Sequence, residues 1–279
     1  MILALPRGRQ LSLKRCKLMA ILNVTPDSFS DGGKFVGHDA ALRQVEQMLK
    51  DGANIIDIGG ESTRPGAAEV SKTEELDRVI PVIELIRREF DTVISIDTYK
   101  AAVMKAAIDA GADMINDVRA LQDQGAIEIA VKTQVPVCLM HMRGMPGSMQ
   151  QLTDYQHVTN EVLSFLQQRA ELCIAAGINP SQIILDPGFG FAKTLAQNYQ
   201  LLAELSTFQQ SGFAVLAGMS RKSMVGQLLN KPVSERLAGS IACATIAVMH
   251  GARIIRAHDV KETADAIAVA EATMFGEFE

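Results

Sequence analysis

Reactive side chains recur at intervals along this chain of 279 residues, each at or near the end of a short apolar run. Asn23 closes the first run. Asp57 lies in the second, which leads into Glu61-Ser62-Thr63-Arg64. Asp97 ends the third, Asn116-Asp117 the fourth, His141 the fifth and Asp186 the sixth. Ser220-Arg221-Lys222 follows the seventh, and Arg256-Ala257-His258-Asp259 the eighth. These types divide by charge. Asp97 and Asp186 can each accept two parallel N–H groups from a guanidine-like ring edge, and Asn116 can both donate and accept. Strand alternation puts Arg256 and His258 on one side. With Asn23, Thr63, Arg64 and the Ser220–Lys222 turn they make an anion site, since a guanidinium holds phosphate oxygens in pairs. The chemistry these residues suit is a polar heterocycle held deep by acids and an anion held at the rim by cations.

Such residues need elements that bring them together. The apolar runs are Leu18–Val24, Asn54–Gly59, Val93–Ile96, Met114–Val118, Val135–Met140, Ile183–Leu185, Ala214–Gly218 and Ala252–Ile255. They are rich in Ile, Val and Leu with little alternation, as strands covered on both faces are. Between them run helical patterns, such as Ala40–Leu49, Glu74–Glu89, Val158–Ala175 and Val260–Ala272. Gly52, Gly111 and Gly251 each follow a helix and precede a strand, where a left-handed cap favours glycine. Eight such units without a composition break predict an α/β fold, a (β/α)8 TIM barrel, over residues 1–279 as one domain. No GxGxxG follows the first strand, which argues against a dinucleotide-binding sheet. The first residues, to about Lys14, read as a short N-terminal hairpin closing the barrel bottom. In a barrel the βα loops leave from the C-terminal strand ends, so the polar residues meet at one mouth.

Composition narrows the classes further. With 48% hydrophobic and 21% charged residues the chain is ordinary globular protein. A formal net charge of -5 gives no broad basic surface for nucleic acid. No apolar stretch approaches the roughly 20 residues of a membrane span. Cys16, Cys138, Cys173 and Cys243 form no CxxC motif, and a reducing, cytoplasmic setting follows. Leu237–His250 carries Ile241, Cys243, Ile246, Val248 and Met249, a wider apolar stripe than one barrel-facing side requires.

Two long segments, Met19–Gly33 (MAILNVTPDSFSDGG) and Gly52–Pro65 (GANIIDIGGESTRP), closely resemble the signature segments of bacterial dihydropteroate synthase. Ser95–Thr98, Ile115–Asp117, Leu185–Phe191 (LDPGFGF), Gly218–Ser223 (GMSRKS) and Arg256–Val260 (RAHDV) are similar to that family as well. The resemblance implies a reaction. (7,8-Dihydropterin-6-yl)methyl diphosphate and 4-aminobenzoate condense to 7,8-dihydropteroate and diphosphate, a step of folate biosynthesis and a sulfonamide target. It also implies Mg2+ held by the diphosphate with help from Asn23, and a homodimer through helices 7 and 8 of the barrel. By motif position, Thr63, Asp97, Asn116, Val118, Met140, Asp186, Lys222, Arg256 and His258 match the pterin diphosphate site. Phe29, Arg64, Pro65, Phe191 and Ser220 match the aminobenzoate side. Tyr99 and Ala192 depart from common family residues, a change expected to alter the start of the third helix and to stiffen the loop after strand six.

These matches fit a dissociative displacement. The leaving diphosphate departs from a CH2 conjugated to the pterin, and Asp97 is placed to stabilise positive charge on the ring. Arg256, His258, Asn23 and Mg2+ stabilise the departing anion. The arylamine is neutral at pH 7 and attacks without a strong base. Asp57 reads as support for these groups, His141 as structural, and the loop Thr25–Gly37 as a lid. Other readings stand beside this one. A pterin-dependent corrinoid methyltransferase would share the pocket, but the chain has no DxHxxG segment. A non-catalytic pterin-binding barrel would not require Asn23, Arg64, Lys222, Arg256 and His258 together. A Schiff-base aldolase would need Lys222 in a dry pocket, and its place beside Arg221 gives no sign of one.

Overall fold

The computed structural model describes residues 1–24, 33–62, 70–144 and 149–276, and for 33–38 the backbone alone. The chain opens with β1 (Ile2–Ala4) and β2 (Gln10–Ser12), an antiparallel hairpin with Leu3 opposite Leu11. Eight parallel strands follow: β3 (Lys17–Asn23), β4 (Ile55–Gly59), β5 (Val93–Asp97), β6 (Met114–Asp117), β7 (Val137–Met140), β8 (Ile183–Asp186), β9 (Ala214–Ala217) and β10 (Ile254–Ala257). They pair in chain order and β10 closes on β3, forming a barrel. The helices between them are α1 (Gly33–Lys50), α2 (Lys72–Glu89), α3 (Ala101–Ala110), α4 (Ala126–Thr133), α5 (Val158–Ala176) and α6 (Leu195–Ala203). After these come the short α7 (Ser206–Gln209), α8 (Ser223–Leu229), α9 (Leu237–Met249) and α10 (Val260–Phe275). The predicted (β/α)8 barrel with its N-terminal hairpin is the fold observed.

Strand parity sorts the core into shells. Leu18, Ala20 and Leu22 of β3, Ile56 and Ile58 of β4, and Ile94 and Ile96 of β5 face outward onto the helices. Met19, Ile55, Val93, Met114, Cys138, Ile184, Leu216 and Ile254 face inward at the N-terminal end. There they meet Leu3, Leu5, Leu11 and Leu13, so the hairpin stoppers the barrel floor. Each fully buried leucine contributes roughly 1.5–3 kcal/mol by leaving water. Polar bonds seat the stopper: Ala4 donates its N–H to Gln182 Oε1 (2.9 Å), and Gln182 Nε2 donates back to Ala4 O (2.6 Å). Arg7, Arg9 and Arg87 all reach the carboxylate of Asp113, which is fully buried.

One boundary moves. The apolar run predicts the last strand at Ala252–Ile255, but β10 spans Ile254–Ala257. Gly251 takes φ +95° and Ala252 donates to Ala247 O at 2.9 Å, so the run's first residue still completes the helix cap. The strand therefore carries Arg256 within it rather than beyond its end.

Candidate active site

The inward-facing positions change character along each strand. On β4 Ile55 gives way to Asp57, on β5 Val93 to Ser95 and Asp97, and on β6 Met114 to Asn116. On β8 Ile184 gives way to Asp186, and on β10 Ile254 to Arg256. An apolar floor thus supports a polar layer one pleat higher, toward the mouth. Arg256 is its centre. Its Nε donates to Asp57 Oδ2 (2.6 Å) and its Nη2 to Asp97 Oδ2 (2.7 Å). Asn116 Nδ2 donates to the same Asp57 oxygen at 3.1 Å. These bonds tie β10, β4, β5 and β6 together across the barrel.

Burial sets the electrostatics. It pushes the Asp97 carboxyl up to about 7, against the pull of Arg256 and with help from the neighbouring Asp57. Burial also works against the charge on Arg256, but Asp57 and Asp97 beside it outweigh that and raise its pKa. Asp186 is raised as well, chiefly by burial. Lys222 is pulled down to about 8 by burial, although Asp186 opposes the shift.

The loop after β8 links the last two groups. Gly188 N–H donates to Asp186 Oδ1 at 2.7 Å, and Lys222 Nζ donates to Phe189 O at 2.6 Å. Lys222 also stands 4.7 Å over the Phe191 ring. Gly188 is required here: it takes φ +71°, and an added Cβ would lie 2.0 Å from His141 O. An apolar wall adjoins the loop, made of Tyr99, Val118, Met140, Met142, Met149, Phe191 and Ala192. It offers a flat ring a dry face beside the polar layer.

At the rim, Asn23 ends β3 with its side chain exposed. Ser220 Oγ accepts the His258 amide and lies 3.1 Å from His258 Nδ1. Its single O–H can donate to that nitrogen in the neutral ring. Among the described residues no group of three His, Cys, Asp or Glu could hold a metal ion.

Residues 19–258 match the family model of the pterin-binding enzymes. The dihydropteroate synthase of Haemophilus influenzae is 55% identical over 94% of this chain and 96% of its own length. The chain belongs to the dihydropteroate synthase family of pterin-binding enzymes. Solved dihydropteroate synthases agree. That of Yersinia pestis, in a sulfonamide drug complex, is 56% identical with a TM-score of 0.92, covering 98% of this chain and 99% of that one. That of Xanthomonas albilineans, with 4-aminobenzoic acid, is 45% identical with a TM-score of 0.92, covering 98% of both chains.

Within this dihydropteroate synthase fold, Asp97, Asn116, Asp186, Lys222 and Arg256 meet in one layer, with Val118, Met140 and Phe191 on the adjoining wall. Asn23, Ser220 and His258 stand at the rim. Phe29, Thr63, Arg64 and Pro65 lie outside the described residues, as does most of the proposed lid Thr25–Gly37. The expected separation of cations from acids is not what the structure holds. Arg256 sits between two carboxylates, because a guanidinium this deep in a barrel needs counter-charge. Lys222 is drier than its place beside Arg221 suggests, its side chain turning inward while Arg221 turns out to Asp259. Tyr99 joins the apolar wall rather than only altering the start of α3. Asp117 accepts from the N–H groups of Arg119 and Leu121, both at 2.7 Å, and so shapes a turn. Lys193, buried beside His141, has no signal in the sequence, since a loop lysine has no periodicity to mark it as buried.

Proposed function

We propose that this chain condenses (7,8-dihydropterin-6-yl)methyl diphosphate with 4-aminobenzoate, giving 7,8-dihydropteroate and diphosphate for folate biosynthesis. The observation that carries the reading is the polar layer itself: Asn116, Asp57, Arg256 and Asp97, bonded in series across four strands, with Asp186 and Lys222 beside them. In this reading Asp186 accepts the 2-amino and N3–H edge of the pterin, Lys222 donates to its carbonyl side, and Asn116 meets a ring edge of mixed polarity. Asp57 holds Arg256 and Asn116 in place. Phe191 and Ser220, with Phe29, Arg64 and Pro65, bound the aminobenzoate side. The sulfonamide complex of the Y. pestis relative supports sulfonamides as ligands here.

Three buried carboxylates face two cations in the layer, so the pocket favours positive charge forming on the ring. That suits a dissociative displacement in which the C–O bond to diphosphate breaks first, Asp97 stabilising the pterin methylene cation before the arylamine attacks. Arg256 and His258 act on the departing anion from the inner and outer sides. The donors at the rim suit Mg2+: Asn23 offers one neutral, exposed oxygen, and Mg2+ commonly takes one or two protein ligands with substrate phosphates and water. When bound with the diphosphate, the ion neutralises charge on the leaving group.

Residues 1–279 act in this reading as one domain. No described helix is long and apolar enough to cross a membrane. The four cysteines are free and buried, which supports a reducing, cytoplasmic setting. The partner is a second copy of the chain, meeting through α9 and α10. Ile246 (40%), Met249 (50%) and Val269 (65%) stand exposed there, whereas Cys243, Ala244, Ala247 and Val248 of α9 face the barrel. The test is incubation with pterin diphosphate, Mg2+ and 4-aminobenzoate. Dihydropteroate and diphosphate in equal amounts are expected; diphosphate without coupled product, or neither, would refute the reading.

A further inference from the structure

The loop between β8 and α6 is held from beneath by a lysine that the reaction does not use. Lys193 is 4% exposed, and its amine has three partners: Gly188 O at 2.8 Å, Phe191 O at 2.8 Å and His141 Nδ1 at 3.1 Å. The amine donates to both carbonyls, and the His141 ring nitrogen completes its set of three polar contacts. His141 is itself buried and packs edge-on against Phe165 with ring centroids 5.0 Å apart. Its backbone N–H donates to Asp186 O at 3.0 Å. Burial, and after it the adjacent Lys193, push the His141 ring down to about 2, so the ring stays neutral. Asn198 closes the far side of the loop, taking the Gly190 N–H at 2.6 Å and donating to Lys193 O at 3.2 Å.

This arrangement draws loop carbonyls inward onto one buried amine, whose pKa burial lowers well below the ordinary lysine value although Asp186 opposes the shift. The same loop turns Gly188 N–H toward Asp186 and Phe189 O toward Lys222. Both side chains assigned above to the pterin are thus aimed by a peptide segment fixed at Gly188 and Phe191.

We propose that Lys193, seated on His141, is a positioning residue for pterin recognition: it locks the Gly188–Phe191 turn in the one conformation that places the Asp186 carboxylate and the Lys222 ammonium for the ring. The inference rests on the pterin assignment made above. Lys193 touches no substrate, and its effect passes entirely through the turn. Removing the amine leaves the Gly188 and Phe191 carbonyls buried without their donor, so the turn must open to hydrate them.

The experiment compares purified wild type with Lys193→Met, Lys193→Gln and Asn198→Ala. Affinity for 6-hydroxymethylpterin is read by calorimetry and Tm by thermal melting. A control, Val82→Ala, lies on the buried face of α2 on the opposite side of the barrel and serves as a destabilised reference. Wild-type turnover on pterin diphosphate and 4-aminobenzoate is measured first, and its failure would strike the functional reading rather than this one. The Kd for the pterin is expected to rise at least about tenfold in Lys193→Met. It should rise less in Lys193→Gln, whose amide can still donate to the carbonyls, and be unchanged in Val82→Ala despite its lower Tm. A Lys193→Met protein with lowered Tm and wild-type pterin affinity would overturn the proposal. If that variant does not fold, Asn198→Ala decides: weaker pterin binding supports the role, and unchanged binding refutes it.

Discussion

Arg256 answers two demands at once. It must stay charged deep in the barrel, and in the proposed reaction it must face a leaving diphosphate. Asp57 and Asp97 meet the first, with bonds of 2.6 and 2.7 Å. Arg256→Ala should therefore fail doubly. Turnover should fall about 10²–10³-fold, as when one charge-stabilising donor is removed. Stability should fall by about 3–5 kcal/mol, since two buried carboxylates lose their counter-charge; steady-state kinetics and urea unfolding read the two effects. The pH profile follows from the groups around it. Asp97 acts as a carboxylate and titrates near 7, and Lys222 acts as an ammonium and titrates near 8. The free enzyme's kcat/KM should thus fall on the acid side below about 7 and on the alkaline side above about 8. The same shifts act on stability. The raised Asp97 pKa contributes stability that is complete below its ordinary value of 3.8 and is lost as pH rises through about 7. The lowered Lys222 pKa contributes stability above its ordinary value of 10.5 that is lost as pH falls through about 8. Asp97→Asn should remove the acid limb of residual activity. Most of this layer is legible in the sequence, because strand ends fix which residues face the mouth. The pairing of Arg256 with the acids is not. Residue type says that a guanidinium can bind phosphate, but only depth in the barrel says that it needs carboxylates first.

The hairpin and the loop after β8 serve the site from opposite ends. At the floor, Leu3, Leu5, Leu11 and Leu13 seal the barrel, and Asp113 gathers Arg7, Arg9 and Arg87. Leu3→Ala should cost about 2–5 kcal/mol, the range for a fully buried leucine. Denaturant midpoint is the measure, with KM for both substrates unchanged, because the floor touches neither. At the mouth, Gly188→Ala should do the reverse. Its methyl would collide with His141 O in a backbone conformation that alanine resists, so pterin affinity should be lost well before the fold. Calorimetry with a pterin and thermal melting separate the two. Of these elements, the strands and most helices follow from apolar runs and helical spacing, and the hairpin is the element read for the first residues to about Lys14. The placement of the loop after β8 does not follow, because irregular backbone carries no period. Its conformation depends on Lys193 and His141, which lie 52 residues apart in the chain.

At the scale of the whole molecule stand the proposed dimer and the proposed reaction order. Ile246 and Met249 on α9 and Val269 on α10 are apolar and exposed on adjacent helices. Met249→Asp combined with Val269→Asp should convert a dimer to a monomer in sedimentation velocity while the barrel still folds; an unchanged mass would remove this face as the contact. The wide stripe on α9 is legible as surplus apolar surface, but sequence alone does not divide it into the barrel-facing Ala247 and the outward Met249. The reaction order rests on charge: a barrel mouth with more buried acid than base should stabilise a pterin cation before the amine arrives. The direct measurement is diphosphate release from pterin diphosphate and Mg2+ with 4-aminobenzoate withheld. Slow, enzyme-dependent release that Asp97→Asn abolishes is the predicted result. No release at all, from enzyme that turns over normally once the arylamine is added, would contradict it.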